Sequence, residues 1–322
     1  MKQNNNEKIR LTARVSEVQR EHYILQGEKG EFGGRLKGNF YKEKTEIPVV
    51  GDYVDVLWNA QGDSLIEKIH ERKSYLVRPD RCGHAEGYVK NLKEQAIVAN
   101  FDYVFIVASL NQNFNVNRIA RYISVVLQGG GIPVVILSKA DLCENVEAYK
   151  AQVEQISDMA KVEAISALNG TGMEKLAPYL KQGVTIALIG SSGVGKSTML
   201  NAIAGAEVMK VNQIREADGR GKHTTTHRHL FTLKNGVTII DTPGMREIGV
   251  CDVDKGLEDT FSDVIELTKQ CRFGNCNHKT EPGCAVRQAL ESGSLSEKRW
   301  ELYTKLQNEN AWAKSMKGKM RK

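Results

Sequence analysis

The chain has 322 residues, 41% hydrophobic and 26% charged, with a formal net charge of +6: a globular balance with room for two or three domains. No apolar run approaches the ~20 residues that cross a bilayer. The N-terminus MKQNNNEKIR lacks the apolar core of a signal peptide, so a cytoplasmic protein with no membrane partner is expected.

Residues 1–75 read as a small all-β unit. The runs IRLTARVSEV, HYILQG, EFGGRLKG, DYVDVLW and SLIEKIH are short and alternating, with Gly, Asn and Asp between them. Leu11, Ala13 and Val15 are expected to share one face, as are Val54, Val56 and Trp58. Five such strands suggest a barrel of the oligonucleotide-binding (OB) type, although other small β-barrels fit the same pattern.

From about residue 95 strands alternate with helices. DYVFIVAS, PVVILS, KVEAIS, VTIALIG and GVTIIDTPG read as strands, and NVNRIARYISVVLQ and YKAQVEQISDMA as helices. The first helix places Ile119, Tyr122, Ile123 and Val126 on one face and ends at GGG. In TGMEKLAPYL, Thr171 and Glu174 have capping-box spacing. The alternation predicts a parallel, doubly wound α/β sheet over 76–250. Beyond 251, a cysteine cluster lies between the helical stretches LEDTFSDVIELTKQ and SEKRWELYTKLQNEN. The basic end AWAKSMKGKMRK reads either as a solvated, disordered tail or as added affinity for a polyanion such as RNA.

Gly190, Ser191, Ser192, Gly193, Val194, Gly195, Lys196, Ser197 and Thr198 form GSSGVGKST, a G-x-x-x-x-G-K-S loop between an apolar strand and a helix. Its glycines let backbone N–H groups turn inward around phosphates. Lys196 offers charge to the outer phosphates, and the Ser197 hydroxyl offers a magnesium ligand. Asp241, in DTPG at a strand end, can reach the magnesium shell, and the Gly244 N–H can sense a γ-phosphate. Between them lies GRGKHTTTHRHL, a polar loop fit to bring a threonine hydroxyl to magnesium. Thr225 completes the catalytic set with Lys196 and Asp241, while Thr224 and Thr226 compete for the same role. Where many such sites carry a water-orienting glutamine, this chain has Met245; His223, His227 and His229 are nearby alternatives.

In Ser138-Lys139-Ala140-Asp141, Asp141 can accept two hydrogen bonds from guanine while the Lys139 stem covers the ring. Ser138 stands where Asn is usual. Ser166 and Ala167 follow at the next strand end, with the Ala167 N–H aimed at guanine O6. The base-reading elements precede the phosphate loop, opposite to the usual order. Both kinds of loop lie at the carboxyl ends of parallel strands, so joining the old termini and cutting elsewhere keeps the site whole. The chain therefore reads as circularly permuted.

Cys271, Cys276, His278 and Cys284 give C-x4-C-x-H-x5-C, three thiolates and an imidazole suited to one closed, structural zinc shell. Cys82, Cys143 and Cys251 are scattered and assigned no role.

The barrel, SKAD, SAL, GSSGVGKST, TTTH, DTPG and the CRFGNCNH…EPGC cluster, in this order over nearly the whole chain, resemble the circularly permuted bacterial ribosome small-subunit-dependent GTPase A family. The resemblance implies an OB-fold domain, a permuted GTPase domain and a zinc-binding domain (251–322). It further implies Mg2+-assisted GTP hydrolysis to GDP, stimulated by the small ribosomal subunit and its rRNA, with a role in late subunit maturation and with a monomer expected. The alternative is an RNA-binding module that holds nucleotide with negligible turnover.

Overall fold

The computed structural model describes residues 9–19, 22–38, 40, 46–78, 95–111, 114–207, 228–242 and 253–320. The sequence-predicted barrel is present: β1 (Arg10–Gln19), β2 (His22–Gly27), β3 (Gly30–Leu36), β4 (Tyr53–Leu57) and β5 (Ser64–Ile69). Their order β1-β2-β3-β5-β4, with β4 returning to β1 and β3 parallel to β5, is that of an OB-type barrel. Alternation buries Ala13, Val15, Val54 and Val56 beside Tyr23, Leu25 and Ile66. Leu11 packs only partly on this core, and half-buried Trp58 lies under the Lys29 ammonium, 5.6 Å from its centroid. A shift in register between Val15 and Glu17 marks a bulge in β1.

Three strands were not legible in sequence: two that pair with each other, and His229–Thr232, whose first two residues fall in the run GRGKHTTTHRHL that reads as a polar loop. β6 (Tyr75–Arg78) and β7 (Gln95–Ala99) pair as an antiparallel ribbon, and Val98 bridges to Val50. Each is short and apolar but for one terminal residue, Arg78 or Gln95, so neither carries the alternating signature.

The central sheet contains β8 (Tyr103–Ser109), β9 (Ile132–Ser138), β10 (Lys161–Ala164), β11 (Thr185–Ile189), β12 (His229–Thr232) and β13 (Thr238–Asp241), ordered β10-β9-β8-β11-β13-β12. All neighbours are parallel except β12 with β13. Successive residues of β8 face opposite cores: Val104 and Ile106 one, Phe105 and Val107 the other. Helix α1 (Val116–Gln128) buries the predicted Ile119, Tyr122, Ile123 and Val126; the Asn115 side chain accepts from Arg118 N at its start, and Gly129 caps its end. Helix α2 (Val146–Glu154) begins earlier than predicted, because Asn145 caps it through Ala148 N. Helix α3 (Lys196–Ala204) follows β11.

The capping box at Thr171 is not formed. Met173–Tyr179 is a 3-10 helix that starts at Gly172, φ 74, with no side-chain cap. A Cβ on Gly172 would lie 2.3 Å from Ala164 O, and Pro178 inside the turn disfavours an α-helix.

The last segment holds α4 (Asp254–Thr260), α5 (Ser262–Lys269), α6 (Ala285–Glu291) and α7 (Glu297–Met320). The predicted stretch 257–270 breaks at Phe261, which is buried with Leu257 and Val264 in the same core as α1 and the sheet. The basic end is helical as far as Met320 rather than a loose tail, with Lys314 paired to Asp254. The barrel joins the central sheet where Glu17 of β1 pairs with His229 of β12.

Candidate nucleotide and metal sites

Strand β11 delivers the chain into the phosphate loop at Gly190, whose φ of 144° is open to glycine. A Cβ there would lie 2.4 Å from Val107 O. Gly193 and Gly195, at φ 74° and 97°, continue the turn into α3. Lys196 Nζ donates to the carbonyls of Gly190 at 2.7 Å and Ser191 at 2.8 Å, so the lysine stem arches over the loop. Ser197 and Thr198 occupy the following positions of α3, whose free N–H groups favour anions.

Asp241 ends β13, in register with Leu188 on the neighbouring β11. It is buried, and desolvation pushes its carboxyl above the ordinary range, opposed by the Lys196 charge and the Thr242 N–H. A buried carboxylate beside a lysine is a fitting ligand for a hard divalent cation, which would repay that desolvation.

The loop 138–141 lies at the end of β9. The Ser138 hydroxyl donates to Val194 O inside the phosphate loop and contacts Ala108 O at 3.3 Å. The serine therefore ties the two loops together, the task expected of an asparagine. Lys139 adopts a left-handed φ of 59°, a conformation uncommon outside glycine and held here by the Ala140 N–H donating to Ile165 O at 3.1 Å. Asp141 follows in a 3-10 turn with its carboxylate exposed. Ser166 is buried, its N–H donating to Thr171 O at 2.8 Å, and Ala167 packs partly on the core. The loops after β9, β10, β11 and β13 thus lie at the carboxyl ends of parallel strands, on one side of the sheet.

Thr224, Thr225, Thr226, Gly244, Met245, His223 and His227 lie outside the described residues. His229 sits on β12 opposite Asp241, its Nδ1 3.7 Å from Glu17 Oε2. Sequence reasoning missed Arg118 and Tyr122, whose side chains reach Ser191. Tyr122 was read only as part of an apolar face.

Cys271, Cys276, His278 and Cys284 converge between α5 and α6, with their ligand atoms all within 4.8 Å of one another. His278 Nδ1 lies 3.5 Å from the sulfurs of Cys271 and Cys284, which are 3.9 Å apart. Zinc bonds of ~2.3 Å to sulfur and ~2.0 Å to nitrogen give tetrahedron edges of about 3.8 Å and 3.5 Å, so the cluster could hold zinc. Partial burial beside the Cys284 and Cys271 sulfurs pushes the Cys276 thiol up to about 11, a cost that a dication would remove. The Glu281 carboxylate caps the turn by accepting from the N–H groups of Asn277, Lys279 and Thr280. The His278 ring meets Trp300 of α7 edge-on at 5.4 Å.

A family model described as RsgA GTPase matches residues 69–251. The small ribosomal subunit biogenesis GTPase RsgA 1 of Listeria innocua is 45% identical over 301 residues, covering 93% of this chain and 83% of that protein. RsgA 2 of Vibrio parahaemolyticus is 41% identical over 302 residues, 94% of this chain and 80% of that one. The crystal structure of YjeQ from Thermotoga maritima superposes with a TM-score of 0.66 at 28% identity, covering 92% and 97% of the two chains. YloQ, described as a circularly permuted GTPase, shares the fold at 24% identity, with a TM-score of 0.63 and coverage of 98% and 99%.

Proposed function

Because this chain belongs to the RsgA GTPase family, we propose that it is a GTP hydrolase that binds the small ribosomal subunit and assists its late maturation. The observation that carries this reading is the convergence of the SKAD, SAL, phosphate-loop and Asp241 segments at the carboxyl end of the parallel sheet, in permuted chain order. Residues 1–75 form the OB-type barrel, 76–250 the GTPase unit and 251–322 the zinc-binding unit. It acts in the cytoplasm as a single chain; no helix among the described residues is long and apolar enough to cross a membrane.

Asp141 would select guanine by accepting from N1–H and the exocyclic amine, with Lys139, Ala140, Ser166 and Ala167 framing the base. The loop from Gly190 to Thr198 and Lys196 would hold the phosphates. Ser197, Asp241 and Thr225 would carry magnesium, which would supply positive charge to offset the negative charge of the phosphates. Gly244 would read the γ-phosphate. Met245, lacking a strong donor or acceptor, cannot orient the attacking water, which a loop residue or the subunit must then order, so intrinsic turnover should be slow. Zinc, one per chain, would set the turn between α5 and α6.

GTP hydrolysis measured with and without small subunits tests the reading. Slow hydrolysis alone, strong stimulation by subunits, and tighter subunit binding with a non-hydrolysable GTP analogue than with GDP are expected. Binding of nucleotide and subunit with no stimulated turnover would instead support a nucleotide-holding RNA-binding module.

A further inference from the structure

The phosphate-loop motif leaves its second position open, and here it is Ser191. This residue is gripped from two directions. Its carbonyl accepts from Lys196 Nζ at 2.8 Å, while its hydroxyl accepts from Arg118 Nη1 at 3.1 Å and also bonds the buried Tyr122 phenol. Arg118 and Tyr122 stand one turn apart on α1, so both reach the same loop residue. The residues beside them face elsewhere. Arg121 makes a bidentate pair with Glu309 of α7 at 2.8 and 3.0 Å, and Ser124 meets Thr260 of α4 at 3.0 Å. One helix thus carries two separate sets of contacts, one to the loop and one to the C-terminal helices.

We propose that Arg118 is a positioning residue for the nucleotide's phosphates: through Ser191 it fixes the phosphate loop to α1. A loop of glycines has several backbone states of similar energy, and inward-facing N–H groups bind phosphate well only if one state is held. Lys196 cannot both fix the loop and meet the phosphates at full strength, since its ammonium is the group the phosphates recruit. A second tether, on the hydroxyl of Ser191, keeps the loop set when Lys196 turns to its ligand. Because this grip acts on ground and transition states alike, its loss should raise KM rather than lower kcat.

The proposal rests on the reading of the site as a guanine-nucleotide site, and its test uses the full-length protein without ribosomal subunits. GDP affinity is titrated for R118A, R118K, S191A and R118A/S191A, with R121A as control. R118A and S191A should each weaken GDP binding about five-fold, and the double variant should be no weaker than S191A alone. R118K should restore part of the loss. R121A should lower the melting temperature but leave GDP affinity within about two-fold. In GTP hydrolysis, KM should rise with the GDP dissociation constant while kcat changes little. Multiplying effects in the double variant, unchanged affinity in both single variants, or an equal loss in R121A would overturn the proposal. Failure of subunits to stimulate turnover would count against the functional reading alone, whereas a wild-type protein that binds no GDP would overturn both.

Discussion

At the scale of single residues, Ser138 shows how a shorter side chain can do a longer one's work. Its hydroxyl reaches Val194 O because β9 ends close to the phosphate loop; a Cβ on Gly195 would lie 3.7 Å from Ser138 Oγ. Ser138→Ala should lower GTP and GDP affinity about five-fold, the effect of one net hydrogen bond, when measured by titration against wild type. Asp141→Asn should weaken GTP binding and favour xanthine nucleotides, whose C2 carbonyl can accept from the new amide; competition between GTP and XTP reads this directly. The groups proposed to touch a ligand stand out in sequence because their chemistry restricts residue type: a lysine, a carboxylate, glycines at fixed offsets. Arg118 and Tyr122 do not, since any donor at helical spacing can support a loop, and helical periodicity reports burial rather than partners.

Elements follow the same division. Strands and helices with strong periodicity were legible, among them all five barrel strands and α1. Those decided by long-range contacts were not. The turn at 173–179 lost its capping box to the close approach of Gly172 and Ala164, and the stretch 257–270 broke where Phe261 had to enter the core. Helix α4 lies close against α1 at Gly256, whose N–H donates to Gln128 Oε1 at 3.0 Å; a Cβ there would lie 1.9 Å from Ser124 O. Gly256→Ala should therefore force the helices apart and cost about 2 kcal/mol in thermal or denaturant unfolding, despite alanine's higher helix propensity. If the Cys271, Cys276, His278 and Cys284 cluster holds zinc as proposed, Cys276→Ser should abolish zinc retention, seen by elemental analysis, and lower the melting temperature of the C-terminal helices, because binding and folding energy are shared in such sites.

At the scale of the whole molecule, Arg14 joins the barrel to the nucleotide sheet. It donates to Asn100 O at 2.7 Å, Gly51 O at 3.3 Å and Thr185 Oγ1 at 3.1 Å, and its guanidinium lies 5.0 Å from the Tyr53 ring centroid. Burial lowers its pKa, partly offset by the charges of Tyr53, Asp102 and Asp52. Arg14→Ala leaves three acceptors without this donor and should cost about 2–3 kcal/mol, with the barrel released before the GTPase unit in limited proteolysis. The junction between barrel and sheet has a further consequence. Exposed strand edges invite pairing between molecules, the first step of aggregation. In the eleven-strand sheet, β4 closes back on β1, and β12 abuts the barrel at Glu17 and His229. The opposite edge is β10, a strand of four residues that begins with the exposed Lys161. A second copy finds only a brief, charged ladder to extend at that edge, which disfavours edge-to-edge pairing there.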